Sequence, residues 1–142
     1  MRLLAFNFDK ISIERKSFNL EGLKINTKID VSEIKEAKAD LFKFKEEVLS
    51  IKFSFELDYS PNIANIELKG NILLSLDSSV HKEVLKQWKE KEMTEDFRLS
   101  LYNLILRKSS LKAMSLEEDL NLPFHLPFPS LGKPKETDSK NL

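Results

Sequence analysis

The chain has 142 residues, 41% of them apolar, with 23 Lys plus Arg balanced by 23 Asp plus Glu and no cysteine. That length suits one domain, and the lack of Cys excludes disulfides, thiolate metal centres and cysteine nucleophiles. Charge is mixed along the chain: residues 1–78 hold 12 basic and 13 acidic groups and residues 79–142 hold 11 and 10, so neither half offers the clustered cations that binding by counterion release requires.

The first 76 residues alternate apolar and polar side chains with period two. Leu4, Phe6 and Phe8 fall on even positions, then Ile11 and Ile13 on odd ones. A change of parity inside a strand predicts a bulge near Asp9-Lys10, because one extra residue turns every later side chain over. A second run is Leu23, Ile25, Thr27, Ile29, Val31, leaving through a turn at Glu36–Asp40. Phe42 and Phe44 resume on even positions before a further parity shift at Glu46-Glu47. The clearest strand is Leu49, Ile51, Phe53, Phe55, Leu57, Tyr59, followed by a turn at Ser60-Pro61-Asn62 with Pro at the first central position. A fourth run holds Ile66, Leu68, Gly70, Ile72, Leu74 and Leu76. All four are polar on one side, which predicts an antiparallel sheet wet on one face.

After Asp77-Ser78-Ser79 the period becomes 3.6. One of those three residues caps a helix running to about Glu92, with Val80, Val84, Leu85 and Trp88 on its apolar stripe. Thr94 caps a second helix, in which Phe97, Leu99, Leu101, Tyr102, Leu104, Ile105 and Leu106 occupy nearly the whole circumference. A helix apolar all round needs cover all round. One sheet face and one short helix give only part of it, which predicts a homodimer or larger oligomer. Ser115-Leu116-Glu117-Glu118 fits a capping box, leaving a restart or a continuous helix to Leu120 open. Prolines make Asn121–Pro129 extended. The expected class is α+β, a four-stranded antiparallel sheet with two C-terminal helices packed on one face. Residues 1–131 form its single domain and 132–142 a disordered polar tail. The apolar start Met1–Phe6 is too short for a signal peptide and no run approaches a membrane span, so a cytoplasmic protein is expected.

No residue set announces chemistry. His81 and His125 read as a surface or turn histidine each, unrelated by metal-ligand spacing. Glu117-Glu118-Asp119 reads as solvated charge, three glycines cannot build a phosphate loop, and a Ser-His-Asp set assembled from scattered residues carries negligible weight. Phe6, Phe8, Phe53 and Phe55 read as core, and Trp88 as core before recognition. Phe42, Phe44, Phe124 and Phe128 are the aromatic groups left for a partner.

The order of elements, with Leu23-Lys24-Ile25-Asn26 opening the second strand, Val48–Phe55 the third, Ile66–Ile72 a glycine-containing fourth and Leu120-Asn121-Leu122-Pro123 after the long helix, resembles the SecB-like fold of export chaperones and of SecB-related proteins in toxin–antitoxin systems. The resemblance spans about residues 6–126. It implies a dimer or dimer of dimers, no cofactor, and grooves beside sheet and helices that bind extended apolar polypeptide. Leu23 and Ile25 would line such a groove, with Leu120 and Leu122 near its end. Export chaperones of that family are acidic where they dock on the translocation motor, and this neutral chain does not carry that feature. The expected function is a non-enzymatic, SecB-like holdase for unfolded polypeptide. The alternative is a dimeric adaptor that docks through its Pro-rich 122–131 strip on a large cytoplasmic assembly such as a ribosomal subunit, touching nucleic acid only locally.

Overall fold

The computed structural model describes residues 1–37 and 47–132. Four strands, β1 (Arg2–Arg15), β2 (Lys24–Glu36), β3 (Glu47–Ser60) and β4 (Ala64–Leu76), precede two helices, α1 (Ser78–Glu90) and α2 (Glu95–Asp119). The strands form one antiparallel sheet in the order β1-β4-β3-β2. Consecutive β1 and β2 therefore stand at opposite edges, and residues 16–23 cross the end of the β3–β4 hairpin. Both Lys16 and Ser17 donate their backbone N–H to the Ile63 carbonyl (2.7 and 3.2 Å) to hold that crossing.

Of the two parity changes in the sequence, the one near Asp9-Lys10 becomes a β-bulge, while the one at Glu46-Glu47 falls where Glu46 and the residues just before it lie outside the described residues. The register of β1 on β4 slips between Phe8 and Lys10, as the alternation predicts, and again between Leu3 and Ala5. In β2 it slips between Val31 and Glu33, which puts Ile34 on the same face as Val31. The Ser60-Pro61-Asn62 turn is closed by Ile63 N–H to the Tyr59 carbonyl (2.8 Å). Pro61, after a cis bond, takes its second central place instead of the first, and Asn62 the left-handed one (φ 51°).

Both helices lie on one face, chiefly over β2 and β3. Between them and the sheet sits a core of Ile51, Phe55, Leu57, Ile66, Leu68, Ile72, Leu101 and Ile105. At its centre Gly70 faces Phe53, and a Cβ built there would lie 2.1 Å from the Asn7 carbonyl oxygen and 2.8 Å from the Phe53 ring. The missing side chain lets the Phe53 ring pack tilted against Phe6 and edge-on to Phe8 over the β1–β4 seam (centroids 4.9 and 6.1 Å). The other face is polar, with Lys10 bonded to Glu67 and Lys52 3.9 Å from Glu33. The hydrogen bond from Lys10 is the largest cause holding the Glu67 carboxyl below its usual range.

On α1 the stripe is displaced from the expected one: His81 and Val84 are buried while Val80 is exposed. Asp77 and Thr94 occupy the N-cap positions, but neither side chain caps. The second helix runs unbroken past Ser115. It buries Leu101, Ile105, Ser109, Ala113 and Glu117, each four residues after the last. Small Ser109 and Ala113 let the helix lie close to the sheet. Off that stripe Leu99 remains 48% and Leu111 68% exposed. No helix among the described residues is long and apolar enough to cross a membrane. The expected tail lies outside the described residues beyond Gly132, as do Phe42 and Phe44.

Candidate functional site

Where α1 turns into α2 over the β2 edge, the surface opens into a hollow of about 710 Å³. Its apolar lining is Val31 from β2, Trp88 from α1, Met93 from the connection, and Leu101 and Tyr102 from α2; Gln87, Lys89, Lys91 and Arg98 complete it. Trp88 and Lys89 are shared with an adjoining hollow of about 300 Å³ that also contains Ile34, Lys35, Glu36 and Leu85. The shape follows from how α1 ends. Lys91 takes the left-handed C-cap position (φ 58°), its N–H donating to Trp88 and that of Glu92 to Gln87 (3.2 and 2.9 Å). The chain then passes to Thr94, whose N–H donates to the Gln87 side chain (3.2 Å). Trp88 is half-buried and lines both hollows. Arg98 lies over the Tyr102 ring, 5.8 Å from its centroid. Such a surface can hold bulky apolar side chains and salt-bridge what flanks them.

The residues singled out from the sequence lie elsewhere. Ile25 pairs with Tyr59 in the β2–β3 ladder, and Leu23 stands just before β2; both are half-buried. Leu120 is half-buried and Leu122 is buried in the chain's own core. These four gather at the Tyr59 end of the sheet, six residues along β2 from Val31, or about 20 Å from the hollow at strand rise. Phe124 packs on Phe128 (centroids 5.7 Å), and Phe128 is 65% exposed.

At that same end is an arrangement that hydropathy concealed. Glu117, expected in solvent, is fully buried. Tyr59 donates its hydroxyl to this carboxylate, also lying 3.0 Å from the Pro123 carbonyl oxygen. The backbone N–H of His125 donates to Glu117 Oε2 (3.0 Å), and His125 Nδ1 is 3.1 Å from both carboxylate oxygens. His125 Nε2 lies 3.0 Å from Ser110 Oγ. Far from a surface histidine, His125 has its side chain only 1% exposed and its ring edge-on to Phe55 (6.0 Å). With a carboxylate as acceptor, Nδ1 carries hydrogen; a neutral ring then accepts from Ser110 through Nε2. Burial, then the hydrogen bond to Glu117 and its charge, raises the Tyr59 pKa well above its ordinary value.

Ser110, His125 and Glu117 thus follow the contact order of a nucleophilic triad. Yet Ser110 is buried in mid-helix, where backbone N–H groups are taken by the helix and none is free to stabilise an oxyanion. The network instead fastens the exit segment after α2. From β1, Arg15 adds bonds to the carbonyls of Leu120 (2.9 Å) and Asn121 (2.7 Å).

His81 is also buried, with Nε2 3.3 Å from the Val48 carbonyl oxygen. Its ring and the carboxylates of Glu36 and Glu47 bring ligand atoms within 4.8 Å of one another. Two carboxylates and an imidazole are donors a divalent cation accepts, but Glu36 is exposed, so water satisfies it as readily.

No protein-family model matches the chain, and no curated protein does. Among solved structures it is similar to a SecB-like chaperone of Mycobacterium tuberculosis in complex with a ChAD peptide from the HigA1 antitoxin, with 13% identity and a TM-score of 0.48 over 94% of this chain and 91% of that one. The likeness is one of fold, a four-stranded antiparallel sheet bearing two helices.

Proposed function

We propose that this chain is a non-enzymatic protein-binding factor, a SecB-like holdase, that holds extended, apolar polypeptide in the hollow beside Trp88. The observation that carries the reading is the lining itself, with half-buried Trp88, Met93 and Tyr102 standing over a floor of buried Val31 and Leu101. A pocket that is mostly apolar with a few polar groups binds by burial, at about 25 cal/mol per Å² of apolar surface removed from water. Self-association belongs to the same reading. Leu99 and Leu111 on α2, and Ile11 (48% exposed) on edge strand β1, are apolar groups that a second copy would cover. The compartment it assigns is the cytoplasm, where chains are met before they fold.

The test is aggregation of a chemically unfolded client at stoichiometric ratio. Wild-type protein suppresses the scattering, and Trp88→Ala with Tyr102→Ala loses that protection while keeping its far-ultraviolet spectrum. Absence of suppression by the wild type refutes the reading.

A second reading has its own support. Leu126, Phe128 and Leu131 are exposed on a Pro-bearing strip whose root is clamped by Glu117 and Arg15. A rigidly rooted apolar strip suits docking on one large assembly such as a ribosomal subunit. Gradient sedimentation of lysate separates the two, since the adaptor co-migrates with one assembly and the holdase does not.

A further inference from the structure

We infer that the Trp88 hollow selects extended segments in which a bulky apolar side chain is flanked by aspartate or glutamate. This rests on the reading of the hollow as a polypeptide groove and adds the chemistry of its occupant. The chain as a whole is neutral, but the lining is not. Lys89, Lys91 and Arg98 stand around an apolar floor, and no carboxylate lines it. Glu90, Glu92, Glu95 and Asp96 neighbour these cations in sequence. Even so, among the described residues none of the three cations is in an ion pair. Arg98 instead lies over the Tyr102 ring, which leaves the guanidinium fork available to a carboxylate. Lys91 occupies a left-handed C-cap (φ 58°), a place where glycine is the unstrained choice. A cation is thus positioned at the mouth by a backbone conformation that works against it.

Charge complementarity commits the occupant. A lysine- or arginine-flanked segment meets three like charges, an uncharged one leaves three cations without partners, and an acidic one answers them. Nucleic acid would meet the charges but not the apolar floor. An exposed ion pair strengthens binding by roughly 1.5- to 5-fold, so three together give roughly 3- to 100-fold, about 10-fold in mid-range, over an uncharged segment at low salt. The advantage must shrink as the Debye length falls from about 10 Å at 0.1 M to about 3 Å at 1 M.

The chain contains one tryptophan, and it lies in the hollow, so its fluorescence reports occupancy directly. Full-length protein is titrated with three peptides lacking Trp and Tyr. They share a Phe-Leu centre and are flanked by Asp/Glu, by Asn/Gln or by Lys/Arg. The expected order is acidic, then neutral, then basic, with about 10-fold between the first two at low salt and near equality at 1 M. Lys89→Glu with Arg98→Glu, both on exposed helix positions, reverses the order with the thermal midpoint retained. Equal binding of acidic and neutral peptides overturns the acidic selectivity and leaves the groove reading standing. Tighter binding of the basic peptide overturns it likewise. No Trp88 response to any peptide overturns both. A salt-insensitive preference for the acidic peptide contradicts the electrostatic argument.

Discussion

Replacing Glu117 by alanine removes one acceptor that serves three donors: the Tyr59 hydroxyl, the His125 backbone N–H and His125 Nδ1. Tyr59 keeps the Pro123 carbonyl, 3.0 Å away, so two N–H groups of one residue lose their partner in a buried place. An orphaned buried donor costs about 1–3 kcal/mol. Two such donors together cost about 2–6 kcal/mol; relief from burying the carboxylate offsets part of that and leaves roughly 1–5 kcal/mol. With a urea m-value of about 2 kcal/mol/M, the unfolding midpoint falls by about 0.5–2.5 M. Glu117→Gln keeps one oxygen acceptor but turns an amide toward the remaining donors, and should lose roughly half as much. Amide exchange adds a local readout, because the His125 N–H, protected in the wild type, exchanges rapidly in the alanine variant. A midpoint unchanged to within about 0.3 M, with His125 already unprotected in the wild type, would refute the reasoning.

Ser109 Oγ is buried without a hydrogen-bond partner, so Ser109→Ala should stabilise the protein by about 1 kcal/mol, read as a raised urea midpoint. Gly70→Ala sets a methyl group 2.1 Å from the Asn7 carbonyl oxygen; β1 must move, and the loss should reach at least the ~1–3 kcal/mol of an overpacked core. The raised Tyr59 pKa gives a signed pH effect. Its contribution is complete below the unfolded value near 10 and lost as pH climbs above it. Urea stability therefore falls from about pH 10 upward, less steeply in Tyr59→Phe; equal slopes would contradict the assignment. Arg15→Ala releases the carbonyls of Leu120 and Asn121, and limited proteolysis should then cut the exit segment faster while the sheet stays intact.

The sheet was legible because only one of its faces is buried, and alternation records which. Even the bulge at Phe8–Lys10 showed as a change of parity. The bulge at Val31–Glu33 left the same trace in Ile29, Val31 and Ile34. The helices were less legible. His81 lies three and four residues before Val84 and Leu85, so helical spacing put it on the buried stripe, and only its polarity argued otherwise. Glu117 continues the spacing of four that runs from Leu101 through Ile105, Ser109 and Ala113. That spacing was the available signal. It is obscured because two of the stripe's residues, Ser109 and Glu117, are polar while Leu99 and Leu111, off it, are greasy. Partners decided the matter, with Tyr59 on β3 and His125 beyond the helix. The Trp88 hollow had no signature in any local stretch. It arises where the end of α1, the start of α2 and the β2 edge meet, a relation that exists only after folding.

The central claim is that unfolded chain sits against Trp88 and Tyr102. It is tested most directly by a photo-crosslinking residue placed singly at Met93, at Leu111 and at Phe128, followed by irradiation with a reduced, alkylated client. The account predicts client adducts from position 93 that acid-flanked peptide competes away, and few from positions 111 and 128. Adducts confined to position 128, or their absence from all three sites while client aggregation is still suppressed, would contradict it.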